Sequence, residues 1–300
     1  MPEGHTIHRL AAHHRAVLGG AQVVATSPQG RFAAGAARLT GATLMATEAY
    51  GKHLLHHYQG GSGGGILHVH LGLYGTVADG PGQPPTPVGQ IRLRLVGERS
   101  ATIDGPPAQH QGAGRGAGAA ADRRHWLDLR GPAACELLTE AEADALRDRL
   151  GADPLRLDAD PDVAGNRIRR SAKPLGALLL DQSIVAGVGL VYATEVLFRA
   201  GIAPTTPGRL LTVEQWRQIW ADLVDLMRLG VQRGRIDTVR DEHLPEVMGR
   251  SPRTDRHGGE VYVYRRAGQP CLRCGGVVSA GTLAARNCYW CLTCQPTVRS

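Results

Sequence analysis

Two C-x-x-C pairs lie close to the C-terminal end of this 300-residue chain, Cys271-Leu-Arg-Cys274 and Cys291-Leu-Thr-Cys294. The sixteen residues between them fall within the spacing that is typical of structural zinc sites. Four thiolates complete a tetrahedral Zn²⁺ shell and leave no open coordination position for catalysis. The pattern therefore predicts one structural zinc that holds a small terminal module together.

Two further cysteines are weaker candidates for zinc ligands. Cys288 is a fifth thiol inside the loop that could replace a ligand, but its spacing leaves Cys291 and Cys294 as the better pair. Cys135 stands alone in an apolar context, which is typical of a small buried side chain.

The last forty residues contain five arginines and no aspartate or glutamate. The run Val261-Tyr-Val-Tyr264 and the glycines inside the cysteine loop predict hairpins rather than helices. A zinc hairpin with only positive charge is typical of contact with a nucleic-acid backbone. The simpler alternative is that zinc only stabilises this end of the chain and the arginines form a solvated face.

Composition places the chain among cytoplasmic proteins of about two domains plus a small module. The net charge is +7 and the isoelectric point is near 9.4, which suits a polyanionic partner. We find no apolar signal region and no stretch long enough to span a bilayer, so no membrane partner is expected. Thiolate ligation also fits a reducing compartment.

Lysine is rare in this chain. Of its 34 basic residues, only Lys52 and Lys173 are lysine. Arginine keeps its proton, whereas a lysine amine titrates when its surroundings change. A lysine in so arginine-rich a chain therefore indicates chemistry that needs a titratable amine, with chance survival on the surface as the alternative.

The N-terminal half combines one helix with short strands. Ile7, Leu10, Ala11 and Val17 form one apolar stripe of a helix that ends near the glycine pair 19–20. Strand-like runs separated by glycines predict a sandwich or barrel-like sheet. These runs are 21–26, 43–50, 52–58, 66–74, 90–96 and 126–130. Segments 59–65 and 105–121 look like loose insertions.

From Leu137 onward the pattern is helical. Thr139 and Glu142 form a capping box for a helix to Leu150, residues 155–172 are a linker, and 173–200 and 212–229 are helical. A Gly187-Val-Gly189 turn divides the first of these two stretches into a helix-turn-helix unit, and residues 233–259 are irregular. We predict an α+β multidomain chain: a β-sandwich domain at 1–136, a helical domain at 137–254 and a zinc hairpin at 255–300.

Pro2 and Glu3 offer a chemical possibility. Removal of the initiator methionine leaves Pro2 with a secondary amine, which attacks a sugar C1′ to form an iminium. The adjacent acid of Glu3 is placed to protonate the sugar ring oxygen or the leaving group. The local alternative is that proline and acid only begin the first helix.

An ordered set of motifs resembles the formamidopyrimidine-DNA glycosylase/endonuclease VIII family, and the endonuclease VIII-like members most closely. The resemblance extends across essentially the whole chain. The matching motifs are Met1-Pro-Glu-Gly-His-Thr6, Gly51-Lys52-His53, Asp181-Gln182 before Gly187-Val-Gly189, and the four terminal cysteines.

The resemblance implies a role for each matching residue. Pro2 corresponds to the imine-forming nucleophile, Glu3 to the acid that helps to open the sugar, and Lys52 to the lysine that contacts phosphate. The Gly187–Gly189 turn corresponds to the helix–two-turn–helix that grips a phosphate, so we include Gly189 among the DNA-binding residues. Arg286 corresponds to the arginine at the tip of the zinc hairpin, and we add Lys173 as a DNA contact.

The implied activity is base-excision repair by a bifunctional glycosylase and abasic-site lyase. The implied partner is double-stranded DNA that contains oxidised bases or abasic sites, bound by a monomer that extrudes the damaged nucleotide. Strand cleavage by β- and δ-elimination then follows. A non-catalytic damaged-DNA-binding protein is the alternative from another class.

Substrate preference depends on the residues that fill the gap left in the DNA base stack when the damaged nucleotide is extruded. Purine-preferring members use a methionine after His-Leu-Gly and a phenylalanine on a second loop. This chain has Leu73-Tyr74 at the first place and Asp128-Leu-Arg-Gly-Pro132 at the second. Leu73 and Tyr74 resemble an apolar wedge, so oxidised pyrimidines are predicted, with a purine-preferring enzyme as the alternative. A half-buried strand end is the structural alternative for these two residues.

Leu190 departs from the family pattern, in which an asparagine after the second glycine donates to a phosphate. Leucine cannot donate, so weaker lesion binding is expected.

The histidines at 53, 56, 57, 68 and 70 fall on two neighbouring strands. No carboxylate shares their spacing, which favours structural histidines over a second metal site there.

Overall fold

The computed structural model describes residues 2–98, 124–255 and 259–297. These described residues divide into two compact units: those within 1–2, 10–49 and 53–146 form the first, and those within 3–9, 50–52 and 147–300 form the second. The predicted insertion at 105–121 lies outside the described residues. Within the described ranges, every helix is too short or too polar to cross a bilayer.

The first unit contains one eight-stranded sheet whose registered strand pairs are all antiparallel. Its strands are β1 (Gln22–Thr26), β2 (Ala42–Tyr50), β3 (His53–Gly60), β4 (Gly65–His70), β5 (Thr76–Pro81), β6 (Ile91–Glu98), β7 (Arg124–Arg130) and β8 (Ala134–Leu138). The order across the sheet is β5-β7-β6-β1-β2-β3-β4-β8. Alternating burial along β1 and nearly continuous burial along β4 give the sheet its apolar core.

Three sequence interpretations in this unit were wrong. Segment 59–65 is a tight hairpin rather than a loose insertion, because Tyr58 pairs with Gly65 and the intervening glycines adopt positive φ angles. Strand β5 was missed since Asp79 and Gly80 have low strand propensity, and it is held as an edge strand by β7. The helical pattern also begins later than predicted, because residues 134–138 form β8.

The run 66–74 ends as a strand at His70, and the chain then turns. Gly72 has φ +66°, and a Cβ there would lie 2.8 Å from the Cβ of Ala133. Only glycine combines that angle with so close an approach. The turn leaves Leu73 and Tyr74 exposed.

The strand histidines form side-chain hydrogen bonds. His53 Nδ1 lies 2.9 Å from His68 Nε2, and His68 Nδ1 lies 2.9 Å from Glu136. His56 is buried and its Nε2 lies 3.1 Å from His14 Nδ1. These contacts agree with a structural role.

The helices are α1 (Gly4–Leu18), α2 (Ala33–Leu39), α3 (Glu140–Asp148), α4 (Pro161–Arg169), α5 (Leu175–Leu180), α6 (Leu190–Arg199), α7 (Val213–Arg233) and α8 (Pro245–Met248). Helix α2 was missed. The capping box of Thr139 and Glu142 is present at the start of α3, and α7 begins with a second one, formed by Thr212 and Gln215. Helices α5 and α6 flank the predicted break at Gly187–Gly189.

The predicted linker 155–172 is wrong, because it contains helix α4. Asp160 caps its first turn and Pro161 begins it, a combination that favours a helix start. Gly165 permits Trp216 to pack closely, since a Cβ there would lie 2.4 Å from the indole. Trp216 is fully buried, as expected of a core residue.

The terminal hairpin consists of β9 (Val278–Leu283) and β10 (Arg286–Cys291). The predicted strand character of Val261–Tyr264 is wrong. The backbone N–H groups of Tyr262, Val263 and Tyr264 donate to the buried Glu195 carboxylate at 2.7, 2.9 and 2.8 Å. Thr238 Oγ1 donates to the same carboxylate at 2.5 Å. This segment therefore wraps a buried anion instead of pairing with a strand.

Replacing Glu195 with glutamine will lower the stability of the second unit by about 2–3 kcal/mol, because one oxygen that accepts charge-assisted bonds becomes an amide that cannot accept them. We expect a lower midpoint of urea unfolding at unchanged helix content. Glu246, which is exposed at the start of α8, gives a matched Glu→Gln control that leaves the midpoint in place. Equal midpoints for the two variants contradict the role assigned to Glu195.

Candidate active site

Glu3 lies buried at the start of helix α1, with 1% of its surface exposed. Its carboxylate accepts hydrogen bonds from the backbone N–H groups of Gly189 at 3.0 Å and Val191 at 2.9 Å. A longer contact of 3.5 Å joins it to the N–H of Tyr192. The first N–H groups of a helix lack partners within that helix and favour negative charge. Glu3 therefore caps the N-terminus of α6.

Glycine is required in the turn that receives Glu3. A Cβ at Gly189 would lie 2.3 Å from the Glu3 carboxyl carbon, and Gly187 has φ +86°. The N–H of Gly4 also donates to the carbonyl of Gly187 at 2.8 Å. The close fit of two backbones explains why this turn contains two glycines.

Lys52 reaches the same turn from the segment between β2 and β3. Its Nζ donates to the carbonyl of Val188 at 2.8 Å. Burial lowers the pKa of Lys52, the Glu3 carboxylate opposes that change, and the positive charge of Arg286 adds to it. The lowered pKa is compatible with the titratable amine that the rarity of lysine predicts, and the catalytic role of Lys52 stays a prediction.

Glu3 and Lys52 each affect the pKa of the other. Burial raises the pKa of Glu3 above its ordinary value, although Lys52 and the three N–H donors act in the opposite direction. A carboxyl group with a raised pKa holds its proton to higher pH, which suits a general acid. Perturbed acids and bases that share one turn are typical of functional sites.

Sequence reasoning missed Asp153, which binds the backbone of the residue before Lys52. Its buried carboxylate accepts the backbone N–H of Gly51 at 2.7 Å and lies 2.8 Å from His8 Nε2. Both partners are far away along the chain. The only sequence signal was an acidic residue in a short polar turn before Pro154, which is also typical of a helix end.

Two of the predicted DNA-binding residues, Arg286 and Lys173, lie at exposed positions next to turns. In the second unit, Arg286 is exposed at the start of β10, directly after Ala284 and Ala285, which both have positive φ. Lys173 is exposed in the turn before α5, where its carbonyl accepts the N–H of Gly208 at 2.9 Å.

The remaining predicted residues belong to the first unit. Pro2 is half-buried and precedes Glu3 directly in the chain. Leu73 and Tyr74 are 60% and 84% exposed in the turn after β4.

The four predicted cysteines come together around the terminal hairpin. The sulfur atoms of Cys271 and Cys294 are 3.9 Å apart, and those of Cys274 and Cys291 are 3.5 Å apart. All four lie within 4.8 Å of one another, which fits a single metal ion. Cys288 is buried on β10 outside this group.

Comparisons with known proteins agree with this arrangement. The family profile described as "Formamidopyrimidine-DNA glycosylase N-terminal domain" matches residues 1–106, and that of the "Formamidopyrimidine-DNA glycosylase H2TH domain" matches residues 150–241. Endonuclease 8 1 of Mycobacterium tuberculosis is 45% identical over 302 residues, covering 98% of this chain and 100% of that protein. A formamidopyrimidine-DNA glycosylase of Parasynechococcus marenigrum is 37% identical over 147 residues, 49% of this chain and 51% of that protein.

Solved structures support the fold. Lactococcus lactis Fpg in complex with DNA containing N7-benzyl-Fapy-dG has a TM-score of 0.73 at 19% identity, covering 99% of this chain and 100% of that one. The same enzyme with an abasic-site DNA has a TM-score of 0.71, also at 19% identity, over 98% and 100% of the two chains. Together with the full-length relative, these matches show that the chain belongs to the formamidopyrimidine-DNA glycosylase/endonuclease VIII family of DNA repair glycosylases.

Proposed function

We propose that this protein is a bifunctional DNA glycosylase and abasic-site lyase that removes oxidised bases, preferably pyrimidines, from double-stranded DNA. The observation that carries the proposal is the pair of groups Glu3 and Lys52 that both bind the glycine turn before α6 and whose pKa values are shifted by burial. A protein that only bound DNA would have no need of a buried acid with a raised pKa.

The chemistry begins at Pro2 after removal of Met1. The lone pair of its secondary amine attacks C1′, the damaged base departs with the electrons of the glycosidic bond, and the proton of the amine passes to the departing base. Glu3 gives its proton to the ring oxygen as the C1′–O4′ bond opens, which leaves an iminium. The iminium makes the C2′ proton acidic, so that β- and then δ-elimination release the two phosphates. Lys52 supplies positive charge towards a phosphate and assists base loss.

Leu73 and Tyr74 support the pyrimidine preference. Their exposure of 60% and 84% argues against the half-buried strand end that was the structural alternative. An exposed apolar pair suits a wedge that partly unstacks a base step. Comparing excision of thymine glycol with that of 8-oxoguanine tests the preference, and faster release of 8-oxoguanine would favour the purine-preferring alternative.

DNA binding is assigned to the turn at Gly189, to Lys173 and to Arg286 on the zinc hairpin. A four-thiolate donor set with arginine neighbours suits one structural Zn²⁺, held by Cys271, Cys274, Cys291 and Cys294. The family relationship extends the proposal to a monomer with an N-terminal catalytic domain, which includes β8 and so extends past the predicted boundary at 136, a helical domain up to residue 254 and a hairpin module at 255–300. The cytoplasmic, nucleoid-associated location stays a prediction.

Borohydride trapping separates this enzyme from the non-catalytic alternative, for which Leu190 is the best argument. The mature protein is incubated with a duplex that carries thymine glycol, reduced, and analysed by denaturing electrophoresis. A covalent protein–DNA adduct supports the imine mechanism. Tight binding without an adduct identifies a damaged-DNA-binding protein.

Restoring asparagine at position 190 will strengthen binding to damaged duplex. Leu190 begins α6 and packs at the edge of the apolar core, and an amide there adds one hydrogen bond to a phosphate. The added bond contributes about 1.5–3 kcal/mol, or roughly 10- to 150-fold in Kd. Fluorescence anisotropy with a duplex carrying a non-cleavable abasic analogue measures the change.

The control for Leu190→Asn is Val163→Asn on the exposed side of α4, which makes the chain equally more polar. Melting temperatures of both variants show whether the packing of α6 survives. An unchanged Kd in a folded Leu190→Asn variant rejects the phosphate contact.

A further inference from the structure

Three metal-ligating side chains meet on the surface of the first unit, away from the cysteine cluster in the sequence. Oδ2 of Asp79 lies 2.6 Å from His13 Nε2 and 2.9 Å from His125 Nε2. One ligand atom from each side chain lies within 4.8 Å of the other two. We call these three residues the His-Asp-His cluster.

The sheet register explains why two of these side chains share a face. Asp79 on β5 is paired with Leu127 on β7, and His125 lies two residues before Leu127. Residues two apart on a strand point to the same side, and diagonal neighbours across an antiparallel pair are within reach of long side chains. His13 is supplied by α1. The cluster is therefore built from one helix and two strands.

The donor set is suited to a borderline transition metal. Two imidazole nitrogens and one carboxylate oxygen make three protein ligands, with a further position left to solvent. Side chains of His13, Asp79 and His125 are 42%, 26% and 15% exposed, so an ion has a path to the cluster. A tetrahedral ion needs ligand atoms about 3.3 Å apart, which the exposed His13 and Asp79 side chains reach by a small rotation.

The neighbouring histidine His14 is not part of the cluster. Its ring lies 6.0 Å from that of His13, and its Nδ1 lies 3.1 Å from Nε2 of His56. The Asp79 carboxylate is hydrogen-bonded to both His13 and His125 and supplies negative charge to a bound cation.

We propose that His13, Asp79 and His125 bind one divalent transition-metal ion of the Zn²⁺ class, independently of the four-cysteine site. The ion binds the Nε2 lone pairs of neutral imidazoles, whose ring protons then lie on Nδ1, and the ionised Asp79 carboxylate. The ion joins the second half of α1 to β5 and β7. The other reading of the same contacts is a hydrogen-bonded His–Asp–His bridge without metal.

Metal stoichiometry of the full-length protein tests the proposal. Equilibrium dialysis against Zn²⁺ followed by elemental analysis is expected to give two ions per chain in the wild type. We expect one ion per chain in His13→Ala, in His125→Asn and in Asp79→Asn, and also one in Cys274→Ser. His57→Ala removes a histidine from the same unit outside the cluster and keeps two ions.

Co²⁺ titration of protein whose cysteine site is already filled with Zn²⁺ gives a second readout. Visible absorption without sulfur charge-transfer bands is expected in the wild type and is lost in His13→Ala. Circular dichroism confirms that each variant is folded. A single ion per chain in the wild type, or equal Co²⁺ binding by wild type and His13→Ala, overturns the proposal and leaves a hydrogen-bonded bridge only.

Discussion

Protein whose Pro2 is blocked by a retained methionine will give no borohydride-trapped adduct with damaged duplex DNA. The amide nitrogen of a blocked Pro2 has no available lone pair and cannot attack C1′. We expect loss of both base excision and strand cleavage, by at least about 10³-fold, because the covalent route disappears altogether. Quantifying the reduced adduct on a denaturing gel, with protein forms verified by mass spectrometry, measures the effect.

Pro2→Gly is the matched variant, since a mature N-terminal glycine still offers a primary amine. It should retain a weaker adduct, whereas the blocked form retains none. Only Lys52 and Lys173 supply other primary side-chain amines in this chain. Peptide mapping therefore identifies the nucleophile directly, and an undiminished adduct on blocked protein would assign the attack to a lysine instead of Pro2.

Glu3→Gln will reduce excision of a damaged base by about 10²–10⁴-fold, the usual contribution of a positioned general acid. Glutamine keeps the size of the side chain but cannot give a proton to the ring oxygen. Cleavage at a preformed abasic site will fall much less, because the abasic sugar already exists partly as the open aldehyde. Single-turnover rates on a thymine-glycol duplex and on an abasic duplex measure the two effects.

The pH dependence gives an independent check on Glu3. Burial raises the pKa of this acid, so the proton needed for excision is retained to higher pH and is lost as pH rises through the raised value. Excision by the wild type should therefore decline on the alkaline side, and cleavage at preformed abasic sites should lack that decline. Equal losses of both activities in Glu3→Gln would show that Glu3 maintains structure and does not donate the proton.

Local patterns in the sequence were sufficient for much of this molecule. The C-x-x-C spacing predicted the cysteine cluster because four ligands of one ion must converge. The capping box of Thr139 and Glu142 marked a helix start through bonds between residues three apart. The break at Gly187–Gly189 was readable since the turn needs residues without a side chain.

Contacts between distant residues could not be read in this way. Nothing near Asp153 indicates that it accepts the N–H of Gly51, and nothing near Glu195 indicates that it binds residues 262–264. The tyrosine–valine alternation of that segment matched a strand, yet a buried carboxylate fixes it in an irregular conformation. The formation of edge strand β5 likewise depends on pairing with β7 and not on the strand propensity of its own residues.

The first turn of helix α6 binds the Glu3 carboxylate, and one turn later Glu195 accepts hydrogen bonds from the segment that precedes the cysteine-bound hairpin. This ten-residue helix thus holds the proposed proton donor at its first turn and, one turn later, the segment that precedes the terminal hairpin. Mutations that shift helix α6 should therefore change the excision rate and the affinity for DNA together. Neither property can evolve through α6 without affecting the other.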